Sequence, residues 1–468
     1  MTKLSIATAL ILGTTVVATA ADVLTDALVN GKMEKRLRVQ YFNTDWDNNG
    51  ATGKNGSDAN GLAVGGSLIY KTDPLYGISV GAGLYTTQNP MGRTDSYDGA
   101  TATTSKDLFS RNSSRSATGS IIPVSYGKGY AVLAQAYVQY DIAKTKAKGG
   151  RMLMSNPWIS PNDTKMIPIA IEGYEAISND ILNTTIQLDY ADKIKERGMT
   201  YFGSMADTGD TPDKIAAYYS THYATVQGTH GDAPGVAILG IKNKSIDNLE
   251  LQAWGMHWND IVDEGIVEAN YALEAGDAIV SFGGRYIIQR DKGAGNIIVP
   301  KSNNFDTDNS IDTSLYAFRT SVNYRAAKLT LATSHTASGG DLIAPWRGFP
   351  TDGYTRSMTQ TDWNADTRAY KAQLDYDFNA LISGLSTMLS YATYDRDPSK
   401  KPYQSMTDRA FQNGDTNQWN LDVLYKLSGG WKGTELKARF MDQSNDTTTL
   451  YTKDTSNREL RLEANYFF

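Results

Sequence analysis

The sequence predicts an all-β fold, a transmembrane antiparallel β-barrel of about 18 strands with short periplasmic turns and long extracellular loops. Three observations predict it. Apolar and polar residues alternate over segments of about ten residues, the connections alternate between short and long, and the last segment ends the chain on an aromatic residue. Beyond the N-terminal region no stretch approaches the roughly 20 apolar residues of a membrane-spanning helix. A closed barrel is the other structure that satisfies its backbone hydrogen bonds within a bilayer.

The N-terminus predicts a signal peptide over residues 1–20. Lys3 precedes an apolar run over residues 4–18, and Ala18-Thr19-Ala20 matches the small-residue pattern of a cleavage site. We therefore expect an exported protein whose barrel domain spans residues 21–468.

The composition excludes several classes of protein. The 468 residues include no Cys, so disulfides, thiol chemistry and cysteine-liganded metal sites are excluded. The 45 basic and 51 acidic residues leave the chain mildly acidic, without the basic character of a nucleic-acid-binding protein. Mean hydropathy is low, at -0.41, as expected of a barrel with a polar interior.

The alternating segments are predicted at residues 32–43, 61–71, 76–87, 130–142, 146–155, 165–175, 183–193, 235–244, 248–259, 265–274, 278–290, 313–325, 328–336, 367–378, 384–396, 417–427, 433–442 and 458–468. Short connections such as 143–145 alternate with long ones such as 194–234. Tight periplasmic turns and long extracellular loops produce this rhythm, which a soluble sandwich has no reason to show. Only the connection at 260–264 is short where a long one is expected.

The final segment has two chemically distinct faces. Leu460, Leu462, Ala464, Tyr466 and Phe468 form an apolar face, and the opposite face carries Glu459, Arg461, Glu463 and Asn465. The alternative is an edge strand of a soluble sheet. A terminal Phe with Tyr two positions before it resembles the C-terminal signature of bacterial outer-membrane barrels, which their assembly machinery recognises. We therefore expect that machinery to bind Phe468.

Once apolar residues are assigned to lipid, the strand register turns a set of cations towards the lumen, because a charge facing lipid at mid-membrane costs about 2 to 4 kcal/mol. The set comprises Arg36, Arg38, Arg285, Arg319, Arg325, Lys371, Arg439 and Arg461. Two interpretations remain open. The cations form a basic track that attracts anions, or they pair with lumenal acids such as Asp375, Asp422, Glu435 and Glu463 and only stabilise the wall.

One region carries a family resemblance. Residues 149–157 (GGRMLMSNP), residues 162–168 (NDTKMIP) and Glu172-Gly173 resemble a hallmark of the OprD family of outer-membrane porins. Lys165 stands where that family usually has Arg, and Ile171 where it has Phe. The resemblance implies an 18-stranded barrel and a loop, here around residues 156–165, that folds inward as a constriction. It also implies a ladder of basic residues that leads carboxylate-bearing nutrients through the constriction.

Further similarity to this family lies at residues 27–41, 190–197 and 344–350, the last resembling its epsilonproteobacterial members. From motif position, Arg151 and Lys165 are predicted to form the constriction. From register, the cations predicted along the wall are Arg38, Arg285, Arg319, Arg325 and Arg439.

The functional prediction is a passive diffusion channel of the bacterial outer membrane for small polar or anionic solutes. The alternative is a surface adhesin with a closed lumen. Four His residues and no recognisable triad or P-loop argue against an enzyme, so no catalytic residue, metal or cofactor is predicted. Expected partners are outer-membrane lipid and lipopolysaccharide. A homotrimer remains open, and nucleic acid is not expected.

Overall fold

The computed structural model describes residues 23–47, 59–92, 108–115, 121–205, 234–293, 310–342, 346, 353–359, 362–397, 414–446 and 456–468. The predicted signal peptide and His222 and His230 lie outside these residues. So does the 344–350 motif except for Trp346.

The wall is a single antiparallel sheet. In the first half of the chain the strands are β1 Lys32–Trp46, β2 Ala59–Lys71, β3 Ile78–Gln88, β4 Arg111–Arg115, β5 Ile121–Tyr126, β6 Tyr130–Ile142, β7 Thr145–Met152, β8 Ala170–Ser178, β9 Thr184–Lys195, β10 Gly203–Ser204 and β11 Val236–Ile246. In the second half they are β12 Leu249–Trp258, β13 Val262–Ala275, β14 Ala278–Asp291, β15 Thr313–Tyr324, β16 Ala327–Thr336, β17 Thr367–Asp377, β18 Leu385–Arg396, β19 Thr416–Lys426, β20 Thr434–Asn445 and β21 Asn457–Phe467.

This sheet is a closed barrel. It holds 19 strands, and because β10 has only two residues, 18 long strands form the wall. β1 pairs with β21, with Val39 opposite Ala464, so no strand edge remains. β3 pairs with β6 and β9 with β11, while β4 and β5 form a separate hairpin. The prediction of an antiparallel barrel of about 18 strands is confirmed.

Side chains alternate between the two faces as the period of a strand requires. On β3, Ser79, Tyr85 and Thr87 are buried on the lumenal side, and Val80 and Leu84 are exposed on the outer side. Exposed large apolar residues occur in this way around the whole outer wall. This is the surface that hydrocarbon would cover.

Some elements differ from the sequence prediction. β8 begins at Ala170 rather than at Lys165, because Pro168 has no N–H for the ladder. A helix, α1 Leu24–Val29, precedes β1, and two one-turn 3₁₀ helices lie at Phe378–Ala380 and Gly429–Trp431. The prediction placed no structure within the long connections that hold β4, β5 and β10. No helix of the described chain is long and apolar enough to cross a membrane.

The largest group of buried apolar residues lies inside the barrel. Trp158, Trp258, Met256, Ile287 and Leu315 belong to one cluster that joins the inner wall from β9 to β16 to residues of the connecting segments. A smaller cluster around Phe42 and Tyr85 lies on the opposite inner wall. The connecting segments therefore enter the lumen and pack there.

Candidate functional site in the barrel lumen

The connection between β7 and β8, residues 153–169, crosses the lumen; we call it the first lumen segment. At one point Asp163 pairs with Arg36 and Arg38 on β1, with 2.8 Å between Asp163 Oδ1 and Arg38 Nη1. At another, Trp158 Nε1 donates to Glu264 Oε2 on β13 at 2.6 Å. β1 and β13 are the first and tenth of the long strands, so they lie on opposite sides of the barrel. The segment therefore narrows the open cross-section of the barrel lumen.

Local sequence explains how this segment turns. Asn156 Oδ1 accepts the backbone N–H groups of Trp158 and Ile159 at 3.0 and 2.8 Å, an Asx turn that reverses the chain around Pro157. Asn156 Nδ2 donates to Asp189 Oδ2 on β9 at 2.9 Å. Asn162 adopts a φ of 40°, which Asn tolerates better than most residues. The Asn-Pro and Pro-Asn pairs of the motif thus supply the turns that keep this stretch out of the sheet.

Ion pairs hold the middle of the segment against the wall. Burial would raise the pKa of Asp163, but the guanidinium groups of Arg38 and Arg36 outweigh this effect and hold the pKa below its usual value. Arg38 also donates to Asn465 Oδ1 at 2.7 Å and lies 3.4 Å from Glu463 Oε1. Arg36 and Arg38 therefore position the segment as well as contributing positive charge to the wall.

The two predicted constriction residues take different positions. Lys165 is only 5% exposed, with Nζ 3.4 Å from the centre of the Phe42 ring, and Arg461 lies on the same ring at 5.1 Å. Arg151 is more open. Its Nε lies 2.9 Å from Glu172 Oε2, and its guanidinium stacks 4.4 Å from the centre of the Phe202 ring. Lys165 is thus buried against an aromatic ring, and Arg151 is accessible beside an acid.

The predicted wall cations are distributed over several sites. Arg285 Nε pairs with Glu268 Oε2 at 2.6 Å, and Arg319 Nη2 donates to Asn270 Oδ1 at 2.7 Å. Arg439 Nε pairs with Asp422 Oδ2 at 2.8 Å.

The inward register predicted for Arg325 does not apply. β15 ends at Tyr324, and Arg325 occupies the following turn with a φ of 52°. Its guanidinium lies 5.0 Å from the centre of the Tyr324 ring, at the periplasmic end of the barrel.

A second lumen segment, residues 353–359, went unpredicted. The Tyr354 ring lies 4.9 and 4.4 Å from the guanidinium carbons of Arg285 and Arg319. Thr359 Oγ1 donates to Gln443 Oε1 at 2.9 Å, and Tyr394 Oη donates to the carbonyl of Thr355 at 2.8 Å. The segment therefore lies along the inner wall of β14 to β20. One available signal was Tyr394, an aromatic on an inward face, which needs a packing partner and an acceptor.

The large apolar cluster was also missed, because the interior was expected to be polar. Trp346 joins it from the 337–366 connection, with its ring 5.4 Å from that of Trp258 and Nε1 donating to the Met205 carbonyl at 2.9 Å. The signal lay in β11, where Ile238 faces in while Leu239 faces out. A strand apolar on both faces is typical of burial on both sides.

The opposite inner wall, from β19 to β1, is rich in cations. Arg439 on β20 and Arg461 on β21 are direct pairing partners. Two like charges in this position repel each other, and a nearby anion reduces the repulsion. Each pairs with one acid, Asp422 and Glu459 respectively. Lys437, one position along this face from Arg439, makes no hydrogen bond or ion pair with another described residue.

Within the described chain no group of three or more His, Asp or Glu residues is arranged to hold a metal ion.

A closed barrel narrowed by an inward segment defines the class of outer-membrane porins. The family model described as outer membrane porin, OprD family, matches residues 30–468. The chain therefore belongs to the OprD family, and its location is the bacterial outer membrane.

Solved structures support the fold. The chain resembles Pseudomonas aeruginosa OpdK with vanillate (TM-score 0.70, 15% identity) and OccK9 (OpdG) of the same organism (0.71, 18%). It also resembles Acinetobacter baumannii OccAB3 (0.69, 19%). Each match covers 94% of this chain and 99% of the other. No curated protein sequence matches significantly.

Proposed function

We propose that the protein is a passive diffusion channel for small polar solutes, with a preference for anionic solutes that carry a carboxylate. The observation that carries the proposal is the cationic wall from β19 to β1. Its cations are Arg36, Arg38, Lys165, Lys437, Arg439 and Arg461, and the carboxylates that pair with them are Asp163, Asp422, Glu459 and Glu463. Without Lys165, which belongs to the first lumen segment, the five wall cations still outnumber these four carboxylates, and Lys437 makes no hydrogen bond or ion pair with another described residue; these groups therefore carry a positive surplus.

The two interpretations of the lumenal cations combine in this proposal. Most of the arginines have an acid partner, which fixes their positions and cancels part of their field. The surplus and the facing pair Arg439 and Arg461 favour a passing carboxylate, which a guanidinium binds through two parallel hydrogen bonds. Arg151 is proposed to contribute at the first lumen segment. Arg285 and Arg319 are proposed to line the second with Tyr354.

One of the similar structures supports this proposal. Vanillate, the compound in the OpdK structure, is an aromatic carboxylate. An amphipathic solute of this kind suits a lumen whose inner wall is cationic from β19 to β1 and whose other side is filled by apolar residues. The adhesin alternative requires a closed lumen, and membership of a porin family favours the channel.

The test is single-channel recording of the refolded protein in a planar bilayer with a salt gradient. We expect steady open steps and a reversal potential that indicates anion preference. Lys437→Gln removes a lumenal cation without leaving an acid unpaired and should reduce that preference. Arg325→Gln, at the periplasmic turn, is the matched control and should leave selectivity unchanged. A folded barrel without conductance would refute the channel, and an unchanged reversal potential in Lys437→Gln would refute the role of the cationic wall.

A further inference from the structure

The outer surface of β11 to β14 carries an apolar groove that the lumenal function does not use; we call it the outer groove. Leu239 and Ile241 on β11 form one ridge, and Tyr286 and Ile288 on β14 form the other. Between them Gly255 and Gly265 leave a floor without side chains, and the volume of this open groove is about 250 Å³. Leu239, Ile241 and Tyr286 are between 42 and 47% exposed, so the groove opens on the lipid-facing side.

The strand pairing shows the direction of the groove. Leu239, Gly255, Gly265 and Ile288 are successive pairing partners across the four strands and form one row. The row towards the periplasm is Ile241, Ala253, Val267 and Tyr286. Gly255 and Ala253 on β12 and Gly265 on β13 are thus small, Val267 on β13 lies at the periplasmic end of the groove, and large residues follow one another along β11 and β14. The groove runs along the strands across the membrane, the direction in which an acyl chain lies.

The row towards the extracellular side is charged. It contains His257, Asp263 and Arg290, and Arg290 lies about 7 Å along the strand from Ile288. Asp263 Oδ1 lies 2.6 Å from His257 Nδ1, and Asp263 Oδ2 lies 3.1 Å from Lys292 Nζ. Arg290 Nη1 lies 3.3 Å from Asp312 Oδ2 and its side chain is 57% exposed. Among the described residues Arg290 and Lys292 each pair with one acid, and their side chains are 57 and 46% exposed.

The connection above the middle of the groove is short. β12 and β13 are joined by residues 259–261, the short extracellular connection that broke the alternation of loop lengths. Within the described chain the Arg290 side chain beside this connection is 57% exposed, so its guanidinium is accessible there.

We propose that the outer groove binds one phosphorylated lipid of the outer leaflet, with an acyl chain between the ridges and a phosphate on Arg290 and Lys292. The lining selects hydrocarbon because it is almost wholly apolar. The cations select a phosphate because basic residues at headgroup level attract anionic lipids. A protein neighbour would have to fill a narrow groove and also match the charged row directly above it, whereas a phosphorylated lipid carries both parts in one molecule. The site is independent of the proposed channel function.

The experiment is native mass spectrometry of the intact barrel titrated with diphosphorylated lipid A and, separately, with its dephosphorylated form. Gly255→Leu fills the groove, and the structure tolerates it because a Cβ there would meet no atom within 4 Å. Ala253→Leu, in the next row, is a second filling variant. Gly284→Leu adds the same side chain to the outer wall beyond the groove, where the nearest Phe318 atoms are 3.6 Å from the new Cβ.

We expect wild type to bind one lipid A tightly and either filling variant to weaken both lipid forms at least tenfold, with Gly284→Leu unchanged. Arg290→Gln with Lys292→Gln should weaken only the phosphorylated form, by about fivefold for each charge removed. Lys432→Gln, a cation at a periplasmic turn, is the control. All variants should keep wild-type conductance, which shows that they fold.

Four results would overturn the proposal. Undiminished lipid binding by both filling variants would show that the groove is not the site. An equal loss in Gly284→Leu would show that the effect is not local. A change in oligomeric mass in the filling variants, without loss of lipid, would identify the groove as an interface between copies of the chain. Inorganic phosphate bound as tightly as lipid A would equally overturn it.

Discussion

Replacing Asp163 by Asn should loosen the first lumen segment. The substitution keeps the size of the side chain but removes the charge that lies between Arg36 and Arg38. The segment would then be held by the Trp158 and Asn156 hydrogen bonds and by packing of its apolar residues. We expect a segment that leaves its docked position more often and a lumen wall with one more net positive charge.

The magnitude follows from exposure. The side chains of Arg36 and Arg38 are 10 and 4% exposed, whereas that of Asp163 is 37% exposed and partly screened by water. We therefore expect each ion pair to stabilise the docked segment by about 1 kcal/mol, and the two together by about 2 kcal/mol. The ratio of docked to released segment should therefore fall roughly 30-fold.

Single-channel recording measures both consequences. We expect more open-channel noise with a larger mean conductance, and a reversal potential shifted towards greater anion preference. Asp180→Asn is the matched control, because Asp180 lies in a periplasmic turn where it accepts from the Lys144 N–H at 2.8 Å. If Asp163→Asn showed the noise, conductance and selectivity of wild type, the ionic clamp would have no role in holding the segment.

Three further predictions concern pH, the second anchor of the segment and barrel closure. Because the pKa of Asp163 is depressed in the folded protein, its contribution to docking is present above the ordinary pKa of about 3.8 and is lost as pH falls through the lower folded pKa. Open-channel noise should therefore stay constant from pH 7 to about 4 and rise below pH 4. A rise that begins near pH 6 would contradict the role of Asp163. Trp158→Phe removes the only indole donor to Glu264 among the described residues and leaves a buried carboxyl group without that partner. The free energy of unfolding in urea should therefore fall by about 1 to 3 kcal/mol. Unchanged stability would show that this hydrogen bond does not stabilise the barrel. Gly66→Ala should reduce the refolded fraction on heat-modifiability gels, because the new Cβ would collide with the Arg36 carbonyl on the paired strand β1. Gly255→Ala is the control, because a Cβ at that position has no atom within 4 Å. Equal refolded fractions for the two variants would refute the steric argument.

The strands could be read from the sequence because the outer wall faces hydrocarbon and the lumen faces water. β6, predicted at residues 130–142, has those bounds in the structure, and every other long strand except β8 differs by at most three residues at either end. A slip of one residue would place charges in lipid, so the register leaves a strong period-two signal. The error at β8 arose where an alternating pattern continued through Pro168 into a segment that is not in the wall.

The candidate site was only partly predictable. Residues 156–165 were predicted to fold inward from a family motif, and the structure describes that segment in the lumen. The roles of Arg151, Lys165 and the wall cations stay predictions. The pairing of cations with Glu172, Glu268 and Glu459 was not predicted, because it depends on distances across strands that periodicity does not give.

The sequence by itself determined that the chain forms a two-faced, closed barrel with its loops mostly on one side, because burial in lipid imposes one rule on every strand. Only the tertiary structure decided how the lumen is filled. The second lumen segment, the apolar cluster around Trp258 and the position of Arg325 in a turn depend on contacts between residues far apart in the chain. The outer groove likewise exists only because Ala253, Gly255 and Gly265 come to lie between large residues on β11 and β14.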